Sequence, residues 1–550
     1  MATSPRKRKS SGTDDSDDGL PTNPLVTPLL TDMYQISMSY AYFSSNKHND
    51  PAVFDLFYRK CPFKGEFCVF AGLDECLRLV STFKYSESDV AYIRTLLPPT
   101  VDEAFFAWLS TLDCKDVKVF AADEGSLVFP KQPMLRIEGP LGVCQLLETT
   151  LLNLVNFPSL VATNAARMRL ASGPNMKLLE FGLRRAQGPD GAFSASKYAY
   201  LGGFDGTSNV AAGKFTGIAV QGTHAHAYVM SYTSLDDLRS TEIAASDDPS
   251  KKVEFLASVL EKRKTLGFEH TNDGELAAFV SYAQAYPRGF LALVDTFDTL
   301  QSGVPNYLCV GWALHELGYK ALGIRLDSGD LSYLSKAARS LFKKTDSRIG
   351  QNLFSSDTIV ASNDLNEEVI LSLNRQGHEI NSFGIGTNLV TCQAQPALGC
   401  VYKLVEINGT ARIKLSQEVE KLVIPGKKEL YRVYNGEGTP LLDMMQTSDE
   451  PPPQANRRML VRHPFLENKR AYVTPARVEC LLNLVWDGKK RLNHDSLRTC
   501  RKRCMEQLVK MRPDHIRSTN ATPYKTSVTQ SLYDFIHRLW LENAPVADLS

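Results

Sequence analysis

Five clusters of Arg, Asp, His, Ser and Thr each begin where a short apolar run stops. Arg184 and Arg185 follow K-L-L-E-F-G-L. Adjacent side chains on extended backbone point apart, so one arginine can meet a ligand while the other pairs elsewhere. A guanidinium fork suits a carboxylate or a phosphate; a structural salt bridge is the plainer use of it. G-T-H-A-H places Thr223 beside His224 and His226. That spacing allows a metal pair, although no carboxylate follows at ligand distance. It equally allows a satisfied polar histidine, or an imidazole nucleophile that accepts a phosphoryl group. D-T-F-D offers Asp295 and Asp298, either to face a positive charge developing on a sugar or to cap a helix. R-L-D-S-G-D gathers Arg325, Asp327, Ser328 and Asp330 around one turn. The arginine can meet an anion, and Asp327 and Asp330 can hold a hydrated Mg²⁺ or ribose hydroxyls; D-S-G-D is also a good turn. In G-I-G-T, backbone N–H groups at Gly384 and Gly386 can cradle a phosphate, with the Thr387 hydroxyl as a further donor. Far upstream, Tyr34 can stack on an aromatic ring or donate a hydrogen bond, and buried core tyrosine is its alternative.

These clusters need a frame that brings them to one place. Seven segments read as a buried apolar run with polar residues past its end: 177–188, 219–226, 290–298, 322–331, 359–365, 380–389 and 401–407. Helical patterns such as 251–263 separate them. The recurrence implies a β/α barrel with its site at one mouth. Upstream, 31–43 and 74–83 have helical spacing, 52–59 and 67–71 read as strands, 117–140 alternates like sheet, and 144–157 is a long apolar helix. After the barrel, 411–415 and 430–434 read as strands, 437–453 ends in a surface loop, and 496–511 forms a basic helix. The expected organisation is a disordered tail (1–24), an N-terminal α/β domain (25–159), a β/α barrel (160–400) and a C-terminal segment (401–550) that packs back on the N-terminal region.

The bulk composition restricts partners more than it identifies them. Sixty-two basic residues face 61 acidic ones, a net charge of +1, so no global field draws the chain to nucleic acid or to an anionic membrane. A polyphosphate substrate therefore needs a local basic cluster. Eleven cysteines without paired C-x-x-C sets read as reduced cytosolic thiols. No apolar run reaches the ~18 residues of a membrane span. The N-terminus has neither the apolar core of a secretory signal nor the acid-poor character of a transit peptide, so a cytoplasmic location is expected. P-R-K-R-K (5–9) reads as a solvated tail, with a nuclear address as the alternative.

Taken in order, T-D-M-Y-Q (31–35), F-Y-R-K-C-P-F (57–63), E-F-G-L-R-R-A-Q-G-P-D-G (180–191), Y-L-G-G-F-D-G-T-S-N (200–209), G-T-H-A-H (222–226), L-V-D-T-F-D (293–298), G-I-R-L-D-S-G-D-L (323–331) and S-F-G-I-G-T-N-L (382–389) resemble the nicotinate phosphoribosyltransferase family from about residue 25 onward. The resemblance implies an irregular seven-stranded β/α barrel of the type II phosphoribosyltransferase kind, with an α/β domain built from N- and C-terminal segments. It implies the ATP-dependent, ligase-class reaction of nicotinate with phosphoribosyl pyrophosphate, giving nicotinate mononucleotide and pyrophosphate with Mg²⁺ (or Mn²⁺), the first step of NAD synthesis from nicotinate. His226, last in G-T-x-A-H, would be the phosphorylated histidine, and His224, at the variable position, incidental. Tyr34, Arg184, Thr223 and Arg325 would serve nicotinate, with Arg184 on its carboxylate. Gly384, Gly386, Thr387, Asp327 and Ser328 would serve phosphoribosyl pyrophosphate, and Asp295 would lie beneath the pyridine–ribose centre. Mg²⁺ would ride mainly on pyrophosphate, with Asp327 or Asp330 in reach. Some relatives carry a hydroxyl or acid after the histidine, where this chain has Ala227. The family also implies a homodimer in which Tyr34 serves the partner's site. The rival readings are an enzyme using nicotinamide, for which an acidic acceptor is expected where Tyr34 stands; a barrel retained only to bind nucleotides; and a quinolinate-type transferase that releases carbon dioxide.

Overall fold

The computed structural model describes residues 19–544, apart from 249, 416, 417, 419 and 420. The 5–9 motif and most of the expected tail lie outside the described residues. Its last part is held: Thr22 donates its N–H (3.0 Å) and its hydroxyl (2.5 Å) to the Glu75 carboxylate.

Three six-stranded sheets organise the chain. The central one is parallel, in the order Leu291–Leu293, Gly323–Leu326, Thr358–Ala361, Ser382–Ile385, Lys177–Glu180, Gly206–Thr207. A parallel bridge from Thr207 to Val220 adds a seventh position. A helix or helix pair follows each position: Gly188–Leu201, Val210–Thr216, Phe255–Leu266 with Asp273–Ala285, Val304–Glu316, Leu331–Ile349, Glu367–Gln376 and the short Thr387–Thr391. Leu178, Ala292, Ile324, Ile359 and Phe383 have no exposed surface, as strands covered on both faces require. Side-chain caps start several helices: Asn209, Asn272, Asp330 and Asn366 each accept an N–H from the first turn.

Two expected barrel segments behave differently. The 401–407 run is not in the barrel. Cys400–Ile407 pairs antiparallel with Pro51–Tyr58. Its alternating burial, with Lys403 and Glu406 only part-covered, marks a half-buried strand. The 219–226 run forms no strand beyond the Val220 bridge, because polar residues begin at once after Val220.

The 400–407 strand belongs to an antiparallel sheet ordered 410–411, 400–407, 51–58, 135–140, 118–121, 483–486. The C-terminal half of the chain thus supplies three of its strands. The expected helix at 144–157 is longer: Glu148–Ser172 passes through residue 159, carried on by the helix-forming run A-T-N-A-A-R-M-R-L-A. The expected 411–415 strand shrinks to Thr410–Ala411. The third sheet is ordered 470–473, 459–462, 526–529, 440–447, 428–434, 477–480.

Buried ion pairs lock the C-terminal strands to the N-terminal sheet. Lys428 Nζ lies 2.5 Å from Asp55, each side chain 2% exposed. Arg136, equally buried, donates to Glu429 (2.9 Å) and to the Lys428 carbonyl (2.6 Å). Such pairs gain little over a well-packed apolar contact but are costly to break singly. The cysteines form no disulfide, and among the described residues no helix is long and apolar enough to cross a membrane.

Candidate active site at the barrel mouth

The residues past the strand ends converge on Asp295, two positions beyond strand 291–293. Its side chain is 2% exposed. Oδ1 meets His226 Nε2 at 3.1 Å. Oδ2 accepts the Asp327 N–H (3.1 Å) and the Ser328 hydroxyl (2.5 Å). Three separate strand ends are therefore held by one sealed carboxylate. His226 opens a short helix, His226–Val229, and stays part-exposed, so its ring can be reached from the mouth. With Nε2 on Asp295, the lone pair of the neutral ring lies on Nδ1.

Arg325 is the third residue of strand 323–326, one place before its end. One of its terminal nitrogens donates to the Thr223 hydroxyl (2.6 Å), the other to the His224 carbonyl (3.1 Å). Its Nε is buried and has no hydrogen-bond partner. Burial depresses the guanidinium, Asp327 and Asp295 oppose the shift, and Arg184 adds to it. Arg184 is exposed in the short turn Leu183–Arg185 and lies close enough for the two cations to repel. Two like charges held together, one with a spare donor, favour an anion between them.

Arg185 points elsewhere, donating to the Thr387 hydroxyl at 3.1 Å. The two glycines before Thr387 play different parts. Gly384 is no open cradle: it sits inside strand 382–385, opposite Leu179, and a Cβ there would collide with the Phe181 ring. Close packing demands glycine at that place. Gly386 lies past the strand, where its carbonyl accepts the Leu389 and Val390 N–H groups. Asp330 is engaged as the cap of helix 331–349, accepting the Tyr333 N–H at 2.9 Å, and Asp298 caps the turn after it.

Asp327 accepts the Ser362 hydroxyl on Oδ1 (2.6 Å). Among the described residues no group of three His, Cys, Asp or Glu side chains gathers as a metal site. One partly free carboxylate fits an ion that arrives with its phosphates and keeps most of its waters. The two histidines do not form a ligand pair, since His224 is buried and its Nε2 receives the Leu293 N–H at 3.3 Å. Tyr34 stands apart: it is exposed on helix Met33–Ser44, beside Glu148 and Thr149, and makes no hydrogen bond to the barrel groups.

Several contributors escape the first reading. Ser362 follows the apolar run 359–361, so the strand-end rule already pointed to it. Glu275, fully buried on helix 273–285, accepts from Ser302 (2.5 Å) and Asn306 (3.0 Å) behind Asp295. Burial, with smaller repulsion from Asp295 and Asp298, raises its carboxyl to about 7. Glu180, 1% exposed, accepts from Ser196 (2.8 Å) and Thr207 (2.5 Å) and steadies the strand that leads to Arg184. Glu180 stands at the head of the 180–191 motif, whereas nothing in its local sequence marks Glu275.

Comparison with known proteins agrees with this geometry. Residues 29–156 match the nicotinate phosphoribosyltransferase N-terminal domain, 312–439 the nicotinate phosphoribosyltransferase family and 427–536 its C-terminal domain. The chain is 55% identical over 540 residues to nicotinate phosphoribosyltransferase 2 of Arabidopsis thaliana, covering 96% of this chain and 97% of that one. It is 43% identical over 525 residues to nicotinate phosphoribosyltransferase of Homo sapiens, covering 94% and 97%. The crystal structure of human nicotinic acid phosphoribosyltransferase superposes with a TM-score of 0.84 at 41% identity, covering 93% of this chain and 100% of that one. A nicotinate-nucleotide pyrophosphorylase from Pyrococcus furiosus, at 20% identity and a TM-score of 0.58, shares the fold alone. With relatives this similar over nearly their whole length, the chain belongs to the nicotinate phosphoribosyltransferase family.

Proposed function

We propose that this chain transfers the phosphoribosyl group of phosphoribosyl pyrophosphate to nicotinate, giving nicotinate mononucleotide and pyrophosphate. The observation that carries the reading is the pairing of two neighbouring cations, Arg325 bonded to Thr223 and Arg184 within repelling range of it, with a sealed carboxylate, Asp295, one strand away. The cations hold the nicotinate carboxylate. The pyridine nitrogen then attacks ribose C1 while the C1–O bond to pyrophosphate breaks, and positive charge develops on the sugar. Asp295 shelters that charge; the protein needs no strong nucleophile for this step, only alignment. Thr387, held by Arg185, and Asp327 with Ser328 serve the phosphoribosyl side. Mg²⁺ supplies charge neutralisation on pyrophosphate, and Asp327 is the residue that would hold it.

His226 has a separate task. Its Nδ1 attacks the γ-phosphorus of ATP, the bond to ADP breaks, and water later releases phosphate from the ring. Asp295 touches both this histidine and the sugar side, so phosphorylation can change how tightly the product is held. The working unit is a homodimer in which Tyr34 covers the partner's mouth.

One incubation with nicotinate, phosphoribosyl pyrophosphate, Mg²⁺ and ATP, following mononucleotide, pyrophosphate and ADP together, tests this. Mononucleotide and pyrophosphate should rise in equal amounts, and ADP with them. Turnover of nicotinamide in place of nicotinate, or no pyrophosphate at all, would overturn the assignment. His226→Asn should retain slow synthesis and lose its stimulation by ATP; undiminished stimulation would remove His226 from the coupling.

A further inference from the structure

The barrel is not closed by backbone. Its ladder ends at Val220 on one side and at strand 291–293 on the other, and among the described residues no bridge joins the two. Strand 291–293 therefore has an unpaired edge facing a seam. The Val294 N–H donates to the Arg325 carbonyl (3.2 Å), on the ladder side. Successive N–H groups alternate across a strand, so the Leu293 N–H faces the seam. In a regular barrel a neighbouring carbonyl would take it. Here the acceptor is the ring of His224, whose Nε2 lies 3.3 Å away.

We infer that His224 is a positioning residue that closes the barrel seam: its imidazole accepts the Leu293 N–H and thereby fixes the loop carrying Thr223 and His226 against the strand that leads to Asp295. The inference deepens the proposed function and rests on its assignment of His226 and Asp295. The same residue works from its backbone as well, since its carbonyl receives Arg325 at 3.1 Å. Thus one residue registers both the Arg325 cation and the His226–Asp295 pair. The ring is 9% exposed and packed on Tyr282 (4.7 Å), Tyr228 (5.5 Å) and Phe279 (6.2 Å). An accepting ring must be neutral. Burial, with Arg325 and then His226 adding repulsion, depresses its pKa to about 4. Its buried Nδ1 has no hydrogen-bond partner. Apart from an interaction with the backbone of the adjacent Ala225, the bond to the strand edge is the ring's polar contact, and its placement there is not a by-product of a larger polar network.

Amide hydrogen exchange tests the bond without reference to catalysis. In the full-length wild-type chain the Leu293 amide should be protected like the interior ladder amides; exchange as fast as an exposed edge amide would overturn the inference. Two variants then separate acceptor from bulk. His224→Leu keeps an apolar side chain and removes the acceptor; His224→Gln supplies a carbonyl in its place. The Leu variant should lose Leu293 protection, raise the nicotinate KM and lower phosphate incorporation at His226, each by about tenfold, the scale one hydrogen bond sets. The Gln variant should restore all three to within about threefold. Equal defects in both variants, or wild-type values in both, would reject a positioning role through the acceptor. If His224→Leu does not fold, wild-type protection and the Gln variant still decide. A wild-type chain that makes no nicotinate mononucleotide would overturn the functional reading, while the exchange result would still judge the seam.

Discussion

Asp295 has both oxygens occupied by groups from other strand ends, and that sets how the site tolerates change. Arg184 is different: it is exposed, and among the described residues no hydrogen bond or ion pair fixes it. Truncating it to Ala should raise the nicotinate KM by about tenfold, near 1.4 kcal/mol, and leave kcat almost unchanged, because the lost contact is made in ground and transition states alike. An unaltered KM would take Arg184 out of the site. Glu275 makes a pH-dependent contribution. Its folded pKa of about 7 lies above the ordinary 4.5, so the folded state binds the extra proton. That contribution to stability is complete below the ordinary value and is lost as pH rises through 7. Glu275→Gln keeps the acceptor oxygen for Ser302 and Asn306 and cannot ionise. It should match wild type near pH 5 and be more stable near pH 8, by about 1–3 kcal/mol. Thermal unfolding at the two pH values checks this, and a difference independent of pH would refute it.

At the scale of elements, the strands are short and the polar fastenings between them matter. The barrel strands run two to four residues, so loops are held by side chains such as Arg325, Ser328 and Ser362. The strand-end rule works because a fully covered strand is largely apolar, with polar residues such as Glu180 and Arg325 at or next to its last position, and the polar residues that follow then face the mouth. It fails at 401–407, where a half-buried antiparallel strand has nearly the same apolar content. The join between strand 51–58 and strand 428–434 depends on Asp55 and Lys428. Removing the carboxylate in Asp55→Ala strands a buried ammonium, so urea unfolding should show a loss of about 3–5 kcal/mol. Replacing both residues by apolar ones should recover most of it. A single variant as stable as wild type would show that water reaches the pair.

For the whole molecule, Tyr34 is the residue that its own barrel does not explain. It is 47% exposed, on a helix remote in sequence from every mouth residue. If it serves a partner's site, two chains that each lack ATP-stimulated synthesis should complement. A Tyr34→Ala chain mixed and refolded with a His226→Asn chain should regain ATP-stimulated synthesis, since each mixed dimer has one intact site. Activity no higher than the sum of the separate chains would argue for self-contained sites.

Much of this architecture was determined by the sequence alone. The strand–helix alternation between 177 and 385, the polar cluster after each run, the tightly spaced arginines and the order of eight motifs were all legible, because apolar periodicity and local residue type are properties of neighbouring positions. Which partner each residue takes was not legible. That Arg185 reaches Thr387 while Arg184 faces Arg325, that Gly384 packs on Phe181, that Asp330 caps a helix, and that His224 spans the seam are decided between segments far apart in the chain. Only folding brings those segments together, and the choice among partners is made by distance, burial and the need to satisfy each buried polar group.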